Sequence, residues 1–389
     1  MLKKKFYILL YCDKSSKNIY NSHYLLIRKF RKKFKNFLLL NYYYLNNNKN
    51  LKKIKNKKKL FDNFEPKTFF DLKKFSKDKD IICILIDNFG TNLPKIRTYF
   101  MFKKLNFRFV KLKDVHSINQ KDKIILGNFF KSFRYNASKI VYELLLIILR
   151  VLRILPKFEF YFLSDKKEFK KIKENFFKKN FNSFKKIEII NSKTYDSFTK
   201  NKNKIDNKYI VLLDDFFDHP SSIKLRGKIP DISINHHYIL LDKFLKKIEN
   251  YFKKKVIVCI HPRDDLKKKK KIFKDFKVFQ FQTQKYIFRS FLILFFDTSS
   301  ILDGILLRKK MLAIYSNFND DNVKYHIKGY KKNLNIQNQK ISDLNFTKNE
   351  ILNKSKVPIK NFSDYINSFI NTDGKKLGIE KIIKLISKI

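Results

Sequence analysis

The chain has 389 residues, of which 88 are Lys or Arg and 35 are Asp or Glu, giving a formal charge of +53. A hydrophobic fraction of 44 % with 16 % aromatics excludes a disordered chain, and the length suits two domains, each with its own core. Only 11 of the 88 basic residues are Arg, the lysines are spread through every segment, and Phe, Ile, Asn and Tyr are inflated alongside them, so the charge reads as a solvated, codon-biased coat. Attraction to an anionic membrane face is the second reading, and no nucleic-acid motif is visible.

The elements predicted in chain order begin with a strand at Phe6–Cys12. The preceding Met1-Leu-Lys-Lys-Lys5 imitates a signal peptide, but the apolar run is too short and no small-residue cleavage site follows it. A basic helix around His23–Phe34 leads to a second strand at Asn36–Leu45, and Asn46–Leu60 is Asn/Lys low complexity that reads as a loop. Ile81–Ile86 is a continuous apolar run ending in Asp87-Asn-Phe-Gly90, a buried strand meeting a turn. Further strands are expected at Phe107–Leu112 and Lys123–Leu126, then a long helix at Ala137–Leu155. Its apolar stretch carries Glu143, Arg150 and Arg153 and stops at Pro156, too short and too charged to span a bilayer. Glu159–Leu163, a Lys-rich helix at Lys166–Lys178 and Ile187–Ile190 make one more β-α-β unit.

Residues 192–207 are polar without apolar periodicity and read as a linker. A second alternating series follows, with strands at Tyr209–Leu213, Val256–Ile260, Val278–Phe281, Phe291–Phe296 and Met311–Tyr315. Helices are expected at His237–Phe252, with Ile239, Leu240, Phe244, Ile248 and Tyr251 on one face, at Ser300–Arg308, and near Ile379–Ile389. The reading is α/β, two Rossmann-like domains facing a cleft, with residues 1–205 as the first domain, 206–365 as the second, and 366–389 a C-terminal helix. Cys12, Cys83 and Cys259 lie far apart, which gives neither a disulfide framework nor a zinc site and suits a reducing compartment.

Chemistry gathers where apolar runs end abruptly, because in parallel sheets ligands bind beyond the carboxyl ends of strands. Val256–Ile260 ends in His261-Pro262-Arg263. Proline stops the strand, Arg263 can fork onto a phosphate, and His261 can donate to a leaving oxygen. Phe295-Phe296-Asp297 runs into Thr298-Ser299-Ser300, where Ser300 and Asp303 have capping-box spacing and hydroxyls meet a helix N-terminus, a favourable place for a phosphate. Tyr209–Leu213 ends in Asp214-Asp215, with His219 beyond, offering carboxylates for an acceptor hydroxyl. Asp87 is the corresponding base candidate in the first half. The histidines near His236 and His237 lack metal-site spacing, and neither a metal nor any other cofactor is expected.

These residues carry a resemblance. Asp214-Asp215, His219-Pro220, the helix carrying Tyr238, Phe244 and Glu249, His261-Pro262-Arg263, Asp297-Thr298-Ser299-Ser300 and the segment Leu306–Tyr315 are similar to bacterial surface-polysaccharide glycosyltransferases, the sialyltransferase and polysialyltransferase group in particular. Teichoic-acid glycerophosphotransferases share a His-Pro and an Asp-Tyr-Ser-Ser-like segment. The resemblance covers roughly residues 209–316, and it departs where Asp297-Thr298 stands in place of the aromatic of the phosphotransferases. It implies a GT-B fold, a nucleotide-sugar donor, a glycan or glycolipid acceptor, and a site at the cytoplasmic face of the membrane. It further implies that His261 serves the leaving phosphate while Ser299 and Ser300 grip it.

Overall fold

The computed structural model describes residues 5–12, 26–41, 63–64, 66, 68–86, 100–113, 148–149, 157–174, 184–200, 204–215, 233–262, 264–317, 321–374 and 377–389. The expectations at Asp87, His219, Arg263, Asn46–Leu60 and Lys123–Leu126 fall outside these residues, as does nearly all of Ala137–Leu155. Two compact units divide the chain. One holds the described residues up to Asp196 together with Ser368–Ile389, and the other holds Ser197–Asn367.

The first unit is built on a seven-stranded sheet. Its strands are β1 (Lys5–Cys12), β2 (Phe37–Asn41), β3 (Asn63–Phe64), β4 (Lys79–Ile86), β5 (Arg108–Lys113), β6 (Phe158–Leu163) and β7 (Phe184–Ile189), in the order β3-β2-β1-β4-β5-β6-β7 and all parallel. Parallel strands buried on both faces must be apolar throughout, which is what Ile81–Leu85 supplies. The 192–207 stretch is not all linker, because Lys193–Phe198 is a helix whose start is capped by Ser192, which accepts from the Tyr195 N–H at 3.2 Å.

The last segment of the chain completes this unit. Along Gly378–Ile386 the side chains of Ile379, Ile382 and Ile386 recur at helical spacing and pack on Ile8, Phe30, Ile82 and Phe162. Buried Asp196 accepts from the first N–H groups of that helix, Gly378 at 2.9 Å and Ile379 at 2.8 Å, a carboxylate at the positive end of a helix. Asn191 adds two bonds, donating to the Gly374 carbonyl at 2.7 Å and accepting from the Asp373 N–H at 2.7 Å.

The second unit has a six-stranded parallel sheet of β8 (Tyr209–Leu213), β9 (Val256–Ile260), β10 (Lys277–Gln280), β11 (Ser290–Phe295), β12 (Lys310–Tyr315) and β13 (Asn338–Lys340), in the order β10-β9-β8-β11-β12-β13. The helix expected at His237 starts earlier, at Ile234, because Ser233 is its N-cap and accepts from the His236 N–H. Its buried face is His237, Tyr238, Leu241, Phe244, Leu245, Ile248 and Phe252; Ile239, expected on that face, is 53 % exposed. The 283–288 and 348–355 helices lie in stretches too short or too polar to show a stripe. Burial pushes the Cys259 thiol up to about 12, in keeping with a small apolar core residue.

A methyl group at Gly378 would collide with the Asn191 carbonyl oxygen, a backbone atom that cannot swing aside. Gly378→Ala is therefore expected to destabilise the first unit by about 1–3 kcal/mol. A lower melting temperature and faster proteolysis within residues 377–389 check this.

Candidate functional site

The register fixes which residues share the carboxyl edge of the second sheet. Phe295 pairs with Leu213 and Leu213 with Cys259. Counting two residues on along each chain, Asp297, Asp215 and His261 occupy one row across three adjacent strands, β11, β8 and β9. The two strand ends singled out from sequence thus lie on one sheet edge, one strand apart, with β8 between them.

Alternation along β8 separates the two consecutive acids. Leu212 faces the core that contains Tyr238, Phe273 and Val258, and Asp214 has the same parity. Its fully buried carboxylate accepts from Lys269 Nζ at 2.6 Å, and Lys269 is itself buried. The same ammonium donates to the Tyr238 hydroxyl at 2.5 Å and lies 3.9 Å from Asp264. In this arrangement Asp214 cannot meet an acceptor hydroxyl. It is an anchor that ties the end of β8 to the 266–272 helix following the His-Pro loop. Asp215 has the opposite parity and is only partly buried.

The His261 loop is held from below. The Gln280 side-chain amide donates to the carbonyls of Asp264 at 2.9 Å and Pro262 at 3.2 Å, with a longer contact to His261 at 3.4 Å. The Asp264 N–H closes a turn on the His261 carbonyl at 3.0 Å, and Asp265 caps the following helix by accepting from Lys267 and Lys268. His261 is half-buried and Pro262 exposed.

At the β11 end the capping box is not formed. Ser300 already has helical dihedrals, φ −65° and ψ −16°, whereas a capping side chain needs an extended backbone, and it makes no cap bond. Thr298 Oγ1 accepts from the Ser300 N–H instead, at 3.2 Å. Asp303 turns to Gln284, accepting at 2.9 Å, and burial pushes its carboxyl up to about 6. Ser299 is exposed and Thr298 and Ser300 are half-buried. The helix spans only six residues, Ile301–Leu306, so its dipole is weak and hydroxyls are the stronger donors there.

Three residues near this edge were not read as site residues from the sequence. Tyr330 donates to Asp297 at 3.0 Å, with its ring edge-on to Phe295 at 5.2 Å; desolvation, then the nearby Asp297, holds its hydroxyl well above the usual tyrosine range. Buried His237 lies with Nδ1 2.8 Å from the Ser316 hydroxyl at the end of β12. Lys269 sits in a run of five lysines, Lys267–Lys271, where nothing in the sequence marks the buried one. Among the described residues, no group of three or more His, Cys, Asp or Glu is placed to hold a metal, and no helix is long and apolar enough to cross a membrane.

No protein-family model and no curated protein matches the chain by sequence. Solved structures do match. A variant of the wall teichoic acid polymerase TagF with one histidine replaced by asparagine is 11 % identical, with a TM-score of 0.51 over 99 % of this chain and 89 % of that one. A TagF variant with a histidine replaced by alanine gives the same TM-score of 0.51. The glycotransferase of kitacinnamycin is 8 % identical, with a TM-score of 0.51 over 100 % and 99 % of the two chains. The likeness shows the fold, which is α/β with two parallel sheets, of GT-B type.

Two outcomes are expected of the buried groups. Lys269→Met leaves Asp214 as a buried charge and lowers stability by about 3–5 kcal/mol, whereas the double variant Lys269→Met/Asp214→Leu recovers part of that loss; denaturant titration reads both. For Asp303, a folded pKa above the unfolded value means that the folded state binds the extra proton, so its contribution weakens as pH rises through 4 to 6. Asp303→Asn should therefore raise the melting temperature at pH 7.5, by on the order of 1–2 kcal/mol of stability after allowing for partial exposure, and change little at pH 4.

Proposed function

We propose that the protein is a glycosyltransferase that moves a sugar from a nucleotide-sugar donor, CMP-linked donors among the candidates, to a cell-surface polysaccharide or lipopolysaccharide acceptor. The observation that carries this reading is the shared carboxyl edge: His261 follows β9, Thr298-Ser299-Ser300 follows β11, and Asp215 follows β8 between them. The GT-B fold supports it.

In this scheme the donor phosphate lies against the hydroxyls of Ser299 and Ser300 and the imidazole of His261. His261 donates a hydrogen bond, and in the transition state a proton, to the leaving phosphate oxygen, so that charge building on that oxygen is met by a fixed donor. Arg263, which follows in the sequence, adds a guanidinium to the same group. Asp215 stands between the two phosphate-binding loops and is too anionic to face phosphate. It binds sugar hydroxyls or takes the proton of the attacking acceptor hydroxyl, which then displaces the nucleotide with inversion. Asp214, held by Lys269, keeps that strand end in place. Asp87 as a second base candidate and His219 as a further donor contact belong to this reading on sequence grounds. Peripheral association with an anionic membrane on its cytoplasmic side fits the lysine-rich surface.

A second reading is favoured by one observation, the shared fold with a wall teichoic acid polymerase: the transferred group would then be a polyol phosphate from a CDP-polyol. The two differ in which bond breaks, and product mass separates them.

Incubation with CMP-, UDP-, GDP- and CDP-linked donors is expected to raise the melting temperature with one class only. His261→Ala should lower turnover of that donor by about 10²–10⁴-fold with the melting temperature unchanged. Near-normal turnover in His261→Ala would end this assignment.

A further inference from the structure

Phe281 is the residue of the second unit that the fold and the proposed chemistry leave unexplained. It follows β10 directly, and because Gln280 pairs with Ile260, it occupies the register position beside His261, one strand further out. Adjacent strands lie about 4.8 Å apart, so the two positions are neighbours on the sheet edge. The residue is 61 % exposed, in a protein whose other aromatic side chains near this edge, Phe279, Tyr286, Phe295 and Phe296, are wholly or partly buried.

The backbone at Phe281 is strained, with φ at +63°. Left-handed backbone suits Gly, Asn or Asp and is unfavourable for a bulky side chain. Elsewhere among the described residues the chain enters this region at Asp78, Asn106, Asn335, Lys253, Arg308 and Gly374, and Phe281 is the one aromatic. Neither burial nor backbone preference accounts for a phenylalanine here. Strain kept at a site edge without packing in return points to a ligand.

We propose that Phe281 is the stacking platform for the nucleobase of the donor. The inference rests on the donor reading above and deepens it. With the phosphate against His261, the ribose and base extend outward, and β10 and the aromatic at its end are what the sheet offers on that side. A flat, exposed ring beside a phosphate-binding histidine takes the face of a base, which stacks on an aromatic whatever its edge pattern. Gln280 holds the carbonyls of the His261 loop, so the residues for phosphate and for base are linked through adjacent positions. Stacking ties the base without reading it. Phe281 thus supplies affinity for nucleotide in general, and base identity is read by other groups.

The chain has no tryptophan, so Phe281→Trp installs a single reporter. Titration with the mononucleotide of the donor class that raises the melting temperature should quench its emission saturably, and ribose 5-phosphate, which lacks a base, should compete without quenching. Phe281→Gly removes the ring and relieves the backbone, so it is expected to raise the melting temperature while weakening nucleotide binding about 10-fold by calorimetry, with ribose 5-phosphate affinity unchanged. A merely structural residue would not give higher stability together with base-dependent loss of affinity. Unchanged nucleotide affinity in Phe281→Gly, or equal loss for nucleotide and ribose 5-phosphate, overturns the stacking role alone. Unmodified protein that binds neither nucleotide nor ribose 5-phosphate overturns the donor reading, and this inference with it.

Discussion

The second unit depends on a buried lysine. Lys269 brings a positive charge into the core, and that charge is tolerable only because Asp214 meets it at 2.6 Å and the Tyr238 hydroxyl at 2.5 Å. Each of the three comes from a different element: the end of β8, the helix of Ile234–Phe252 and the helix of Leu266–Ile272. An apolar contact among the same elements could slide by a fraction of an ångström at small cost. An ion pair in a low-dielectric interior has one good geometry and steep losses around it. The strand end and the loop that leads from His261 into the Leu266–Ile272 helix are thereby fixed relative to each other, the rigidity that the proposed phosphate site would need.

Around that pair the pleat divides labour. Asp214 and Asp215 differ by one position and fall on opposite faces of the sheet. The first is committed to the core, and the second stays at the edge with His261 and Asp297. The same alternation leaves Tyr330 to hold Asp297 from the other face. Two layers of hydrogen bonds thus support the row without belonging to it, Lys269 with Tyr238 on one face and Tyr330 on the other, while Gln280 braces the loop carbonyls.

Much of the fold was legible in the sequence, because parallel strands buried on both faces are short unbroken apolar runs, and Ile81–Ile86, Tyr209–Leu213, Val256–Ile260 and Phe291–Phe296 each read as one. Short amphipathic helices were less so: Lys267–Lys271 gives no stripe, and the 192–207 stretch hides a helix whose purpose is to place Asp196. The edge residues His261 and Thr298–Ser300 were found because abrupt polar endings follow those runs. The partners beneath them were not, since Lys269, Gln280 and Tyr330 acquire meaning only through contacts with residues 16 to 55 positions away. Asp214 and Asp215 were indistinguishable as a pair, and the Ser300 cap failed on a backbone angle that residue types do not reveal.

The docking of Gly378–Ile386 has a consequence for how the protein is made. The first sheet cannot be fully covered until its last partner leaves the ribosome, since Ile379, Ile382 and Ile386 are part of its core. The bulk of the second unit lies in Ser197–Asn367 and can finish folding while the first still waits, an inversion of the usual order in which the earlier-synthesised domain matures first. During that interval the abundant lysines of the first unit give the nascent species a charge that opposes self-association of its incompletely shielded apolar surface.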